Sequence, residues 1–195
     1  MIGLNIDFCV SNLDIYHLEA IEVLVKVLVF LGSSGSGKTT SIVELISHLN
    51  CSVGTVKFMH HDRLDIEPSR KDTSKHVDAG SMFTVGVARK ETVVRVPVNE
   101  RMGYDEIEKM LGVLPRVDLV IVESLFSPPK GSGIIISGCD EEDLEGSLKR
   151  IRGSYSRDQI LAVVGKVSES QSSWDGIPCV DAEGLTKIVK RFIDS

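Results

Sequence analysis

The sequence predicts an α/β fold, in which a mostly parallel β-sheet carries helices on both faces and a β-hairpin is added. Three observations predict it. Short apolar runs typical of strands buried on both faces alternate along the chain with stretches whose apolar residues recur at helical spacing. Residues 27–59 read as a strand–helix–strand unit of the length of a parallel crossover. The 195 residues are enough for one domain with a substantial core.

The elements of the first half follow in order. Residues 27–31 form a buried strand that ends at a glycine. A helix comes next, since four apolar residues share one helix face: Ile42, Leu45, Ile46 and Leu49. Residues 53–59 form the second strand. Two β-rich runs, 83–88 and 92–98, joined around Arg89 and Lys90, predict the hairpin.

The second half continues the alternation. Strands are predicted at residues 118–122, 134–136 and 160–164, and one helix at 141–152, where an acidic start and a basic end complement the helix dipole. Two further helices are predicted from apolar residues at helical spacing: Ile107, Met110, Leu111 and Leu114 before Pro115, and Leu185, Ile188, Val189 and Phe192 near the end.

The sequence divides into an N-terminal extension and one domain. Residues 1–25 precede the first convincing strand and are assigned as an N-terminal extension of uncertain structure. Residues 26–195 are assigned as a single domain. The apolar stretch at 21–31 is broken by Glu22 and Lys26 and is too short to span a bilayer, so we expect no membrane segment.

Composition excludes some classes of function. Lys and Arg number 22 against 28 Asp and Glu, and this net charge of −6 argues against a nucleic-acid partner. The four cysteines form no C-x-x-C pair, so neither a zinc site nor a disulfide framework is indicated. Reduced thiols in the cytoplasm are the expectation.

A phosphate-binding motif follows the first strand. Residues 32–39 read Gly-Ser-Ser-Gly-Ser-Gly-Lys-Thr and match G-x-x-x-x-G-K-[ST], between a buried strand and an amphipathic helix as the motif requires. The glycines let backbone N–H groups point at phosphate oxygens. We expect Lys38, exposed on the rim, to reach the terminal phosphates as a catalytic residue, and Thr39 to bind magnesium. This predicts a P-loop NTPase-like fold and these nucleotide-binding residues: Gly32, Ser33, Ser34, Gly35, Ser36, Gly37, Lys38, Thr39 and Thr40.

A carboxylate ends the strand at residues 118–123. Ligands of open parallel sheets lie beyond the carboxyl ends of the strands, so Glu123 is predicted to face the phosphate loop. There it would hold magnesium through water or orient an attacking water, as a catalytic residue. The alternative is a surface acid at a strand end.

A polar segment follows the second strand at the same edge. Adjacent histidines point opposite ways in an extended chain, so His60 and His61 are candidates for contact with a second substrate or a partner, rather than joint metal ligands. Asp62 is a candidate magnesium ligand and catalytic residue. Lys71, Asp72 and Thr73 are further candidates for the second substrate or partner, although Asp72 fits a helix N-cap equally well.

These blocks, in this order, resemble the molybdopterin-guanine dinucleotide biosynthesis protein B (MobB) family. The resemblance spans residues 26–192, and its blocks are 32–40, Val56-Lys57 with His60-His61-Asp62, Pro68 with Lys71-Asp72-Thr73, 79–81, 118–123 and 181–185. Three departures stand out: Phe58 replaces a histidine, the segment from Pro68 to Thr73 is one residue longer and lacks a glycine, and Ser124 replaces a glycine.

The resemblance implies a cytoplasmic, homodimeric protein that binds GTP with Mg²⁺ and has weak GTPase activity. It would assist molybdopterin guanylyltransferase, which attaches GMP to molybdopterin, and molybdopterin itself is a further candidate ligand. No N-K-x-D segment is present, so the guanine preference rests on the resemblance. One alternative is a small-molecule kinase, whose arginine-rich lid would be Lys149, Arg150, Arg152 and Arg157. The other is a non-hydrolysing nucleotide-binding scaffold.

Overall fold

The fold is described from a computed structural model. The residues described are 25–59, 75–76, 79–87, 89, 92–98, 100, 102–112, 114–123, 128–151 and 155–195. Several residues with sequence-based expectations lie outside this set, so those expectations stay predictions: residues 1–24, His60, His61, Asp62, Pro68, Lys71, Asp72, Thr73, Ser124 and Arg152.

The alternation of strands and helices predicted from the sequence is present. The described strands are β1 (Lys26–Leu31), β2 (Val53–Lys57), β3 (Thr84–Val87), β4 (Thr92–Arg95), β5 (Leu119–Glu123), β6 (Gly133–Ser137), β7 (Ile160–Val164), β8 (Ser173–Trp174) and β9 (Ile177–Pro178). The described helices are α1 (Lys38–His48), α2 (Tyr104–Leu111), α3 (Glu141–Arg150), α4 (Val167–Ser170) and α5 (Ala182–Asp194).

The central sheet of the described residues is parallel and has the strand order β2-β5-β1-β6-β7. Every residue of β5 and β6 is buried, as their unbroken apolar runs predict. β5 lies between β1 and β2, an order that the sequence analysis did not predict. The carboxyl end of β5 therefore lies beside the phosphate loop that follows β1, with Glu123 paired in register with Phe30 and with Lys57.

Apolar side chains pack on both faces of this sheet. Leu28 and Phe30 of β1 join a cluster with α1 and α5, whereas Val29 and Leu31 join a cluster that includes Leu144 of α3. The predicted fold class, a mostly parallel sheet with helices on both faces, is confirmed.

The predicted hairpin is also present, with β3 and β4 antiparallel. Its two faces are unequally covered, because Val85, Val87 and Val94 are exposed while the intervening residues are half-buried. The helix predicted through Leu114 ends earlier, since α2 ends at Leu111 and Leu114 is exposed in the segment before Pro115.

Two helix starts near the site are fixed by aspartate caps. Asp140 accepts a hydrogen bond from the backbone N–H of Asp143 at 2.9 Å and begins α3. Asp181 accepts one from the N–H of Gly184 at 2.8 Å and begins α5. Such caps satisfy donors that a helix leaves unpaired. None of the helices in the described ranges combines the length and apolar character needed to cross a membrane.

Candidate functional site

The phosphate loop between β1 and α1 depends on its glycines. Gly35 and Gly37 have φ angles of 80° and 96°, in the left-handed region that favours glycine. A Cβ on Gly32 would lie 2.4 Å from the carbonyl oxygen of Ser137 and 2.5 Å from the hydroxyl of Ser36, closer than atoms can approach. A side chain would therefore strain the backbone at Gly35 or Gly37, and would collide with neighbouring atoms at Gly32.

Lys38, the first residue of α1, is the most enclosed charge of the loop. Its Nζ donates to the carbonyl oxygens of Gly32 at 3.0 Å and Ser33 at 2.5 Å. The expectation that it is exposed on the rim is wrong, because the residue is only 7% exposed beneath the loop. Burial lowers the pKa of Lys38 from its ordinary value, against the opposing effect of the Glu123 carboxylate.

Residues at the ends of two strands, β6 and β7, contact the loop. The Ser137 hydroxyl, at the end of β6, donates to the carbonyl oxygen of Ser36 at 2.6 Å. Gly165, after β7, lies so close that a Cβ on it would be 2.8 Å from the same oxygen. The Ser36 hydroxyl is buried without a hydrogen-bond partner in the described part of the chain. The ends of β6 and β7 therefore both contact the loop at Ser36.

Glu123 lies where its strand position predicts, at the carboxyl edge beside the loop. It is only 8% exposed, so it is not a solvated surface acid. The Thr39 hydroxyl donates to Glu123 Oε1 at 3.3 Å, and Lys57 Nζ is 3.1 Å from the same oxygen. A hydroxyl, a carboxylate and two ammonium groups thus gather at one end of the sheet.

The residues here fit a magnesium ion. Mg²⁺ prefers oxygen ligands and binds through one or two protein groups plus phosphates, and Thr39 and Glu123 present such oxygens 3.3 Å apart. Asp62, the third candidate ligand, lies outside the described residues. Within the described ranges no group of three or more His, Cys, Asp or Glu residues could hold a metal on its own.

The structure adds two residues to the site to which the sequence analysis assigned no role. Lys57 ends β2 and Ser137 ends β6, and each is a polar residue at the carboxyl end of a strand. The strand-end position that points to Glu123 and to the segment after β2 points equally to these two residues. Ser34 and Thr40 are exposed on the loop and on α1, and Ser33 donates to the carbonyl oxygen of Ser34 at 3.3 Å.

Two of the residues considered as a kinase lid, Lys149 and Arg157, have acidic partners in the described structure. Lys149 and Arg150 lie in the last turn of α3, and Lys149 pairs with Glu145 one turn earlier at 3.5 Å. Arg157 pairs with Asp175 at 2.6 Å. These contacts are those of a helix end and a local turn, and they oppose the lid interpretation.

Comparisons with known proteins agree with the geometry. The family model of molybdopterin guanine dinucleotide synthesis protein B matches residues 27–128. A molybdopterin-guanine dinucleotide biosynthesis adapter protein of Methanocaldococcus jannaschii is 32% identical over 102 residues, which are 50% of this chain and 40% of that protein. The chain therefore spans less than half the length of this relative.

Solved structures share the fold. MobB of Bacillus subtilis has a TM-score of 0.65 at 18% identity, covering 86% of this chain and 97% of that one. A MobB homologue of Bacillus stearothermophilus has a TM-score of 0.59 at 18% identity, with the same coverage of 86% and 97%. At these identities the likeness shows the fold.

Proposed function

Since the chain belongs to the molybdopterin guanine dinucleotide synthesis protein B family, we propose that it is a GTP-binding adapter in molybdenum-cofactor maturation. It binds GTP with Mg²⁺, hydrolyses it slowly, and assists molybdopterin guanylyltransferase in attaching GMP to molybdopterin. One observation carries the proposal. Lys38, Thr39 and Glu123 converge at the carboxyl edge of the sheet, within the stretch that the family model matches.

The residues of the phosphate loop have distinct tasks in this proposal. Lys38 exchanges its bonds to the loop carbonyls for charge-assisted bonds to phosphate oxygens, which are roughly twice as strong as neutral ones. Backbone N–H groups of the loop and of the start of α1 bind the same phosphates. Thr39 and Glu123 hold the magnesium ion, which neutralises phosphate charge when bound.

Slow turnover is supported by the ion pair at the site. Lys57 Nζ lies 3.1 Å from Glu123 Oε1, so the carboxylate that would orient water is already engaged. The same observation favours a second candidate, a non-hydrolysing nucleotide-binding scaffold. The kinase alternative loses support, since Arg157 and Lys149 have acidic partners in the described structure.

We propose further that the protein is a cytoplasmic homodimer and that a second copy covers the exposed apolar face of the hairpin. Val85, Val87 and Val94 form that face, and exposed apolar patches mark interaction sites. An isolated two-stranded hairpin is marginally stable, which favours its pairing with another element. The second-substrate and partner candidates keep their proposed role toward molybdopterin or the guanylyltransferase: His60, His61, Lys71, Asp72 and Thr73.

Two experiments test the proposal. Calorimetric titration of the purified protein with magnesium-GTP and with magnesium-ATP is expected to give binding of both, with GTP clearly tighter. Equal affinities would agree with phosphate binding at the loop but would contradict the preference for guanine over adenine. Affinity capture with purified molybdopterin guanylyltransferase tests the adapter role. If no complex forms with or without GTP, the adapter role is wrong and the nucleotide-binding scaffold remains as the candidate function.

A further inference from the structure

A surface cavity of about 520 Å³, open to solvent over most of its extent, lies at the same edge of the sheet as the phosphate loop. It lies between α4 and the start of α5 and is lined by residues 168–172, 179–181 and Gly184. Small-molecule sites have volumes of about 300–1,000 Å³, so this cavity is large enough for an organic ligand. Neither the proposed phosphate contacts nor the metal site uses it.

The cavity is connected directly to the phosphate loop. Gly165 packs on the backbone of Ser36, and Ser168 donates to the carbonyl oxygen of Gly165 through its N–H at 3.0 Å and its hydroxyl at 2.6 Å. Ser168 also lines the cavity. The near wall therefore reaches the loop through Gly165, which contacts Ser36 on one side and Ser168 on the other.

The far wall is an extension of the sheet. Cys179 pairs in parallel with Val163 of β7, and the Val180 N–H donates to the Val163 carbonyl oxygen at 3.0 Å. Asp181 follows at the carboxyl edge, beyond the end of β7. Ligands of open parallel sheets bind at this edge. The arrangement gives a role to the closing block of residues 181–185, which the phosphate site leaves unexplained.

The polar groups of the cavity suit a heterocycle and not a phosphate. Glu169 and Asp181 both line it, and two carboxylates repel an anion. Asp181 uses Oδ1 to cap α5, which leaves its second oxygen for a ligand N–H. Cys179 and Val180 supply an apolar wall.

We propose that this cavity is the base subsite for the nucleotide bound at the phosphate loop, and that Asp181 makes it selective for guanine. Guanine presents adjacent N–H donors at N1 and at its 2-amino group, which a carboxylate accepts. Adenine presents a lone pair at N1, which a carboxylate opposes. The inference rests on the proposed function, since it names the base-reading part of the same site.

The test is the substitution Asp181→Asn, because asparagine is as good a helix cap as aspartate and leaves the start of α5 intact. GTP affinity is expected to fall about ten- to a hundredfold, the range expected for one hydrogen bond to a charged group. XTP, which carries an oxygen where guanine has its 2-amino group, is expected to bind the variant more tightly than GTP does. Glu183→Gln is the matched control, since it removes a carboxylate from the same helical turn outside the cavity.

Inorganic tripolyphosphate separates this inference from the proposed function. It reports on the phosphate loop alone and is expected to bind the native protein and Asp181→Asn equally. If Asp181→Asn binds GTP and XTP as the native protein does, the base subsite is wrong while the phosphate site stands. If the native protein binds neither tripolyphosphate nor any nucleotide, the proposed function fails and the inference with it.

Discussion

Two regions of the molecule differ in the burial of their apolar residues. The strands that meet at the carboxyl edge of the parallel sheet bury them, whereas the β3–β4 hairpin exposes those of one face. All residues of β5 and β6 are buried. The polar residues at their ends bond to the phosphate loop and the start of α1, Glu123 to Thr39 and Ser137 to Ser36. One face of the hairpin is exposed instead, since Val85, Val87 and Val94 are exposed by 47%, 79% and 56%. The first region has a core of its own, whereas the second has an apolar face that the described chain leaves uncovered. The proposed ligand site thus belongs to the first region and the proposed protein contact to the second.

The largest expected effect is at Lys38. Lys38→Met keeps the apolar stem and removes the ammonium group, so we expect GTP affinity to fall about a hundredfold or more, since bonds to charged groups are worth about 1.5–3 kcal/mol each. Because burial already lowers the pKa of Lys38, the ligand-free variant is expected to be no less stable than the native protein.

Calorimetry and chemical denaturation measure the two effects. Lys187→Met is the matched control, since Lys187 is an exposed lysine paired with Glu183 on α5. A stable Lys38→Met protein that binds GTP normally would contradict the phosphate-loop assignment.

The second-largest effect is expected at Gly32 of the phosphate loop, on the free energy of unfolding. Gly32→Ala brings a Cβ to 2.4 Å from the Ser137 carbonyl oxygen, and the backbone there has a φ of 154°. We expect a loss of about 1–3 kcal/mol in the free energy of unfolding, as for strained backbone elsewhere, together with weaker nucleotide binding. The measurement is urea denaturation.

Gly146→Ala is the comparison, because Gly146 lies in α3 with open space around it. Alanine there is expected to stabilise the helix by about 0.5–1 kcal/mol. Equal effects of the two substitutions would show that the loop does not need its glycine.

A third effect separates binding from turnover. Glu123→Gln keeps the shape of the side chain and removes its charge beside Thr39, so GTP binding is expected to persist while phosphate release falls. A phosphate-release assay under saturating GTP measures it. Asp118→Asn, an acid just before the same strand, is the control. If Glu123→Gln turns over GTP at the native rate, Glu123 has no part in hydrolysis.

The smallest effect on nucleotide binding is expected from the hairpin. Val87→Lys places a charge on the exposed apolar face, so the proposed dimer is expected to dissociate, as measured by light scattering. GTP affinity is expected to change less than about twofold, since surface substitutions usually stay within about 0.5 kcal/mol. Val43→Lys, at an exposed valine of α1, is the control. A native protein that is monomeric at every concentration would remove the dimer proposal.

The sequence predicts most of the fold because local patterns determine it. Apolar runs locate β1, β5 and β7 to within a residue or so, and the glycine motif locates the loop between β1 and α1. The sheet order was not predictable, since it depends on contacts such as Lys57 with Glu123, which are far apart in the chain. The burial of Lys38 was missed for a related reason. Whether a loop covers a lysine depends on contacts from other strands, here the hydrogen bond that the Ser137 hydroxyl donates to the loop.

The most direct test is the melting temperature of the native protein with saturating nucleotide. A ligand that binds only the folded state at 100 times its Kd stabilises it by about 2.7 kcal/mol. For a domain of this size that corresponds to a rise of roughly 5–11 °C. Magnesium-GTP is expected to give such a rise, ATP at equal concentration a clearly smaller one, and neither is expected to shift Lys38→Met. No rise with either nucleotide, in a sample confirmed to be folded, would contradict a nucleotide site at this edge of the sheet.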